Sequence, residues 1–215
     1  MSYFFPEGSK FYFSNTLAAA KTVTAVSNAS PAVATSTAHG YADGDEVLFT
    51  SGWEDASDSV FKVDQLTADT FSLLGLNSVD TNWFAAGNGT GTTKKVSNWT
   101  EVPQVLSIST SGGDPRYTDI QPLSKRNGIK VPTGFNSMSI DLTLGHDPSN
   151  ANYQTMLDIS RGLGKVAFKL VLAGGATAYG YGYLNVSEAP SLQANQANQV
   201  RASITFLGRF ISYAS

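Results

Sequence analysis

The sequence predicts a mainly β protein: an antiparallel β-sandwich with one flanking helix, plus an inserted small all-β domain. Three observations carry that reading. Apolar residues recur at every second position in segment after segment, a helical spacing with its own cap signals occurs once, and the charge balance changes near residues 22 and 98. Residues 22–98 hold nine carboxylates (Asp43, Asp45, Glu46, Glu54, Asp55, Asp58, Asp64, Asp69, Asp80) against Lys62, Lys94 and Lys95, a balance of −6. Residues 99–215 balance at +2 and residues 1–21 at +1. The expected organisation is a sandwich domain formed by 1–21 and 99–215, interrupted at 22–98 by a small β-domain standing on its exterior.

In chain order, Gly8 to Ser14 alternates Lys10, Tyr12 and Ser14 with Phe11 and Phe13, which favours a strand. Short β-type runs follow at 22–27, 32–37, 46–50, 60–66 and 70–74, separated by turn residues, as in a small sandwich or barrel. Thr67 to Asp69 reads as the loop of a hairpin, and Gly87-Asn88-Gly89-Thr90-Gly91-Thr92-Thr93 as a flexible return to the main domain. After Trp99-Thr100-Glu101-Val102 and a strand from Val105 to Thr110, residues 111–133 form a long polar loop with no sustained period. Connections beyond about 12 to 15 residues are uncommon unless functional or disordered. Here Ile120, Leu123, Ile129 and Val131 give the loop apolar groups to pack with.

Met138, Ile140, Leu142 and Leu144 then alternate with Ser139, Asp141 and Thr143, so one strand face is buried and the other is wet. Asp147 as N-cap and Pro148 at the first helical position predict a helix from 148 to 161, with Tyr153, Met156 and Leu157 on its core face and Gly162 ending it. Three strands close the chain: 166–172, 178–186 and 199–210. Replacing 22–98 by a short linker is expected to leave this main domain folded.

Charged residues make up only 14% of the 215, roughly half the usual share, which points to surfaces covered by partners. No basic run exists to attract nucleic acid or anionic lipid. Cysteine is absent, which excludes disulfides, thiolate metal sites and cysteine nucleophiles. Met1 to Glu7 has neither the basic start nor the apolar stretch of a secretory signal. The motifs Asn28-Ala29-Ser30, Asn88-Gly89-Thr90, Asn98-Trp99-Thr100 and Asn185-Val186-Ser187 therefore carry no weight as glycosylation sites. His39 and His146 lack partners at metal-ligand spacing, and Asp43-Gly44-Asp45 lacks the spaced oxygens of a calcium loop. No catalytic, metal or cofactor-binding constellation emerges.

The element order, with Trp99-Thr100-Glu101, the loop Pro122-Leu123-Ser124-Lys125-Arg126-Asn127-Gly128, the strand ending in Asp147-Pro148 and the last strand Val200-Arg201-Ala202-Ser203-Ile204-Thr205-Phe206, resembles the tail tube proteins of flexible-tailed, non-contractile bacteriophages. The resemblance covers Gly8–Ser14 and Trp99–Ser215 and leaves 22–98 as an extra module, similar to β-modules that decorate phage structural proteins. It implies a structural, non-enzymatic virion protein without cofactors, made in the host bacterial cytoplasm. Its expected partners are further copies of itself in hexameric rings stacked into a hollow tail tube, and other phage tail proteins. Double-stranded DNA would pass the lumen without specific binding, and no membrane is bound. Ring stacking is expected of the long loop through Asp114, Arg116, Asp119, Ile120, Lys125, Arg126, Ile129 and Lys130. The lumen candidates are Ser139, Asp141, Thr143, Ser203 and Thr205, because repeated cations would hold phosphates, so Lys165, Lys169 and Arg201 should be paired or turned away. The residues alone also admit a secreted or surface carbohydrate-binding β-protein that uses the row Tyr179, Tyr181 and Tyr183 together with the acidic module.

Overall fold

A computed structural model describes residues 7–214. The opening segment Met1–Pro6, most of the stretch without secretory features, lies outside the described residues, as does Ser215. In chain order the elements are β1 (Lys10–Ser14), β2 (Thr16–Leu17), β3 (Lys21–Val23), β4 (Ala25–Val26), β5 (Ala32–Thr35), β6 (Glu46–Ser51), β7 (Ser59–Gln65), β8 (Thr70–Leu74) and β9 (Gly91–Ser97). Then come β10 (Thr100–Glu101), β11 (Val105–Ser111), β12 (Pro115–Ile120), β13 (Ile129–Phe135), β14 (Ser139–Gly145), α1 (Ala151–Arg161), β15 (Lys165–Val171), β16 (Thr177–Val186), β17 (Gln199–Phe206) and β18 (Ile211–Tyr213). The protein is mainly β with antiparallel sheets and one helix among the described residues.

The main sheet runs β10-β1-β15-β16-β17-β14-β11, with β18 pairing the start of β16. Its period-two pattern sends Phe11, Phe13, Val166, Phe168, Leu184, Val200, Ala202, Ile204, Ile140 and Leu142 into one core. Tyr153, Met156 and Leu157 of α1 close that core. Val102 and Leu144 belong to the same cluster, and Val105, Met138, Ile159, Leu170 and Phe210 pack against it. Gly180 and Gly182 of β16 face this core. A Cβ on Gly180 would collide with the Phe206 ring and one on Gly182 with the Thr205 carbonyl, so these positions of β16 leave room for the adjoining end of β17 that only glycine provides.

The helix starts later than its sequence signals suggest. Asn150, not Asp147, is the N-cap, its side chain accepting from the amides of Asn152 (2.9 Å) and Tyr153 (3.2 Å). Asp147 instead accepts from the amide (3.0 Å) and hydroxyl (2.6 Å) of Ser149 in a local turn, which holds its carboxyl below the ordinary range. Pro148 thus belongs to the turn before the helix. Gly162 ends α1 as expected, its amide donating to the Asp158 carbonyl.

The second sheet runs β2-β9-β6-β7-β8-β5-β4, with β3 also on β9, and takes its strands from between Thr16 and Ser97. It has its own core, built around Trp53, Phe49, Phe61, Phe71 and Leu73. The tract expected to be a flexible return is only partly so: from Gly91 it is β9, which pairs with β2, β3 and β6. Threonines and lysines hold this central place because only Thr93 and Val96 face inward, and the buried Thr93 hydroxyl takes the Tyr41 phenol at 3.0 Å.

The segment 111–133 departs most from expectation. It is no irregular loop but part of a two-stranded ribbon, β12 with β13, that forms a sheet of its own. Among the described residues its apolar side chains join none of the core clusters: Ile120, Leu123, Ile129 and Val131 are all exposed.

Candidate assembly surfaces

Three surfaces and one buried seam stand out. The first surface is the β12–β13 ribbon. Cross-strand register places Ile120 opposite Ile129 and Thr118 opposite Val131 on one face, and Asp119 opposite Lys130 beside Tyr117 on the other. The ribbon therefore has one largely apolar side and one side that mixes Asp119 and Lys130 with Tyr117 and Pro132. At its base the Asn136 amide donates to the Asp114 carbonyl at 2.9 Å, and at its tip the Lys125 amide donates to the Pro122 carbonyl at 3.1 Å. Asp114, Arg116, Asp119, Ile120, Lys125, Arg126, Ile129 and Lys130 thus lie on one exposed element. A two-stranded ribbon is marginal by itself in water, and an apolar face adds the need for a cover.

The second surface is β11, a seven-residue edge strand hydrogen-bonded on one side only, to β14. Leu106 and Ile108 are exposed on it. Such an edge is a template for pairing with another chain.

The third surface is the polar face of β11, β14 and β17. Ser139 lies opposite Thr205, Asp141 opposite Ser203 and Thr143 opposite Arg201, with Ser109 and Ser111 continuing the rows from β11. The lumen candidates Ser139, Asp141, Thr143, Ser203 and Thr205 are therefore neighbours on one face. The cations nearest to it are engaged: Arg201 pairs with Asp141 at 2.9 Å, and the Lys165 ammonium lies 5.3 Å above the Tyr183 ring.

The seam joins the two sheets. Leu48, Val60 and Val96 of the second sheet pack on Ala167, Tyr179 and Tyr181 of the main one. At its centre one oxygen of Glu46 accepts from both Lys169 and Tyr179 at 2.7 Å, and the other accepts from the Trp99 indole. Tyr213 donates to the Leu74 carbonyl (2.8 Å) and accepts from the Lys62 amide (3.0 Å). Burial, with the Glu46 carboxylate second, raises the Tyr179 phenol well above its ordinary range, and burial pushes Tyr213 up to about 12. Gly208 sits so close to the Asp58 carbonyl that any side chain would collide with it. Tyr179 and Tyr181 are thus core, and only Tyr183 of the expected stacking row reaches solvent.

His39 and the acidic turns serve the framework. His39 is buried, its Nδ1 accepting from the Tyr41 amide and its Nε2 donating to the Thr67 carbonyl, both at 3.0 Å. The Asp43 carboxylate accepts from the Gln65 amide (2.7 Å), and Asp45 pairs with Lys95 (2.6 Å).

An open-edged sheet, an unsupported apolar ribbon and a broad polar face define a β-protein whose surfaces are its working parts. The family model for the phage tail tube protein matches residues 51–215, and the chain belongs to that family. Its role is structural, as a component of the phage virion tail. The match begins at the last residue of β6 and so includes three whole strands of the second sheet, β7, β8 and β9. No curated protein matches the chain. Among solved structures, a chain in the virion of a native gene transfer agent particle is 12% identical, with a TM-score of 0.41, over 54% of this chain and 89% of its own. A chain in the tail of an empty gene transfer agent particle, computed with helical refinement in C6 symmetry, is 12% identical at TM-score 0.42, over 54% and 87%.

Proposed function

We propose that this protein assembles into hexameric rings that stack into the hollow tail tube through which phage DNA is delivered. The observation that carries the reading is the β12–β13 ribbon, whose Ile120, Ile129 and Val131 face is complete in shape but uncovered in the single chain. A neighbouring copy covers it, with Asp114, Arg116, Asp119, Lys125, Arg126 and Lys130 fixing register and the isoleucines supplying most of the stabilisation. Edge pairing at β11 joins subunits around the ring and removes the exposed strand edge.

The polar face of β14 and β17 lines the lumen. On this reading the polar half of that face meets the DNA, and the half under the second sheet faces outward. Ser139, Asp141, Thr143, Ser203 and Thr205 then meet the DNA without gripping it, since Arg201 is neutralised by Asp141. On this reading the 22–98 region is an inserted exterior domain, other tail proteins cap the tube, and the chain is synthesised in the host bacterial cytoplasm before joining the virion.

Electron microscopy of the purified full-length chain tests the assembly: rings or tubes are expected, and a uniform monomer at high concentration overturns it. The double variant Lys125→Glu/Arg126→Glu tests the stacking element. It should fold normally by circular dichroism yet fail to form long tubes; tubes of normal length would remove the ribbon from the stacking contact.

A further inference from the structure

Trp83 is 70% exposed, whereas Trp53 beside it is 2% exposed. Large aromatics left in water on a structural subunit call for a reason, and here the surrounding loops are tied to one another by hydrogen bonds. The Trp53 indole donates to the Ala85 carbonyl at 2.8 Å, its ring meets buried Phe84 edge-on at 5.3 Å, and Asn28 donates to the Phe84 carbonyl at 2.7 Å. The Gly52 amide donates to the Thr90 carbonyl at 3.0 Å and ties the opposite rim. Between the rims lies an open cleft of about 250 Å³, lined by Trp83, the edge of Trp53, Glu54, Asp55 and Asn88.

We propose that this cleft is a saccharide-binding site for neutral or amine-bearing sugars, a role that goes beyond tube building and does not depend on it. The apolar face of a sugar ring stacks on the indole of Trp83, an aromatic body with a polar rim that suits such amphipathic rings. Its hydroxyl or ammonium groups donate to the carboxylates of Glu54 and Asp55, while the Asn88 amide can both donate and accept. Anionic chains are disfavoured, because Glu54 and Asp55 line the cleft and Arg209, paired with Asp55 at 3.9 Å and lying over the Phe84 ring, offsets only one of the two carboxylates. The volume is just below the roughly 300 Å³ where pockets for drug-sized ligands begin, which leaves room for one or two sugar rings lying partly in solvent. This is a different surface from the Tyr179–Tyr183 row, of which the second sheet covers Tyr179 and Tyr181.

The test applies the full-length chain to an array of glucan, chito-oligosaccharide, chitosan-oligosaccharide and uronic-acid chains, with calorimetric titration of whichever is retained. Retention of a neutral or amine-bearing saccharide is expected, weakened about tenfold by Trp83→Ala and only about threefold by Trp83→Tyr. Trp83 is exposed, so both variants should keep the parent melting temperature. Glu54→Gln should weaken amine-bearing sugars more than neutral ones. Retention of nothing, retention of uronic-acid chains alone, or equal binding by Trp83→Ala overturns the proposal.

Discussion

On the face of the main sheet turned away from α1, β15 and β16 present Ala167, Lys169, Tyr179 and Tyr181 to the second sheet, while β14 and β17 present Ser139, Asp141, Thr143, Ser203 and Thr205 outward. Each half carries an ion pair to a carboxylate on a strand. Lys169–Glu46 is largely enclosed, its side chains 22% and 13% exposed, whereas Arg201 of the Arg201–Asp141 pair is 72% exposed. The same sheet thus shows two uses of charge. Enclosed, a pair ties two layers together and is costly to break; open, it sets the character of a surface and contributes little to stability.

The sharpest way to break this comparison is to remove the cover. Replacing residues 22–98 by a Gly/Ser linker strips Leu48, Val60 and Val96 from Tyr179 and Tyr181, and leaves Lys169 without Glu46. The sequence alone suggested that the rest would tolerate this. With a shared apolar seam the expected loss is about 5 kcal/mol or more, comparable to the whole stability of a domain. Thermal unfolding followed by circular dichroism should lose its cooperative transition; a transition within a few degrees of the parent would mean that the two layers are independent.

Glu46→Ala is the next largest test. Removing one partner of an enclosed pair typically costs about 3 to 5 kcal/mol, because Lys169, Tyr179 and the Trp99 indole are left facing an empty space. Tyr179→Phe, which deletes one of those donors, should cost about 1 to 3 kcal/mol. Chemical denaturation of the unassembled subunit reads both values free of any stabilisation by assembly. Equal, small effects would show the seam to be held by apolar packing alone.

Alkaline titration probes the same seam. Tyr213 has its pKa pushed up to about 12 by burial, above the roughly 10 of an unfolded tyrosine, so the folded chain keeps a proton that the unfolded chain releases. Its contribution is fully present below about pH 10 and is lost as pH rises towards 12, by on the order of 2 kcal/mol. Tyr213→Phe should lower stability at neutral pH, since two hydrogen bonds go, and flatten the alkaline fall. An unchanged alkaline slope would place the titration elsewhere.

These elements also mark what the sequence made legible. Period-two strands such as β14 and β17 could be read because each buries one face, and the Tyr153-Met156-Leu157 stripe gave the helix. Its start was misplaced by three residues because Asp147, Ser149 and Asn150 can all cap, and only the fold decides which one meets the first turn. Ribbon β12–β13 escaped detection because its apolar face is interrupted by Thr118, its other face mixes Tyr117, Asp119, Lys130 and Pro132, and neither face joins a core of the subunit. Strand β9 looked like linker because glycine and threonine there serve close approach and one inward hydroxyl rather than bulk. Glu46 gave no signal at all: its partners lie 53 to 133 residues away in sequence.

The smallest expected effect belongs to the open half. Asp141→Ala removes a pair whose arginine is mostly in solvent, so its cost should stay below about 1 kcal/mol, against the several expected at Glu46. Its consequence lies in what it releases. Arg201, no longer neutralised, would present one uncompensated guanidinium per subunit on the polar face, and a ring would multiply it. If that face lines the lumen, DNA release from virions carrying the variant should slow, and raised salt should restore it, because phosphate contacts weaken as counterions compete. Arg201→Ala together with Asp141→Ala should return release to the parent rate. A salt-independent rate in Asp141→Ala would mean that the β14–β17 face does not meet DNA, and would leave the enclosed and open halves differing in energy but not in function.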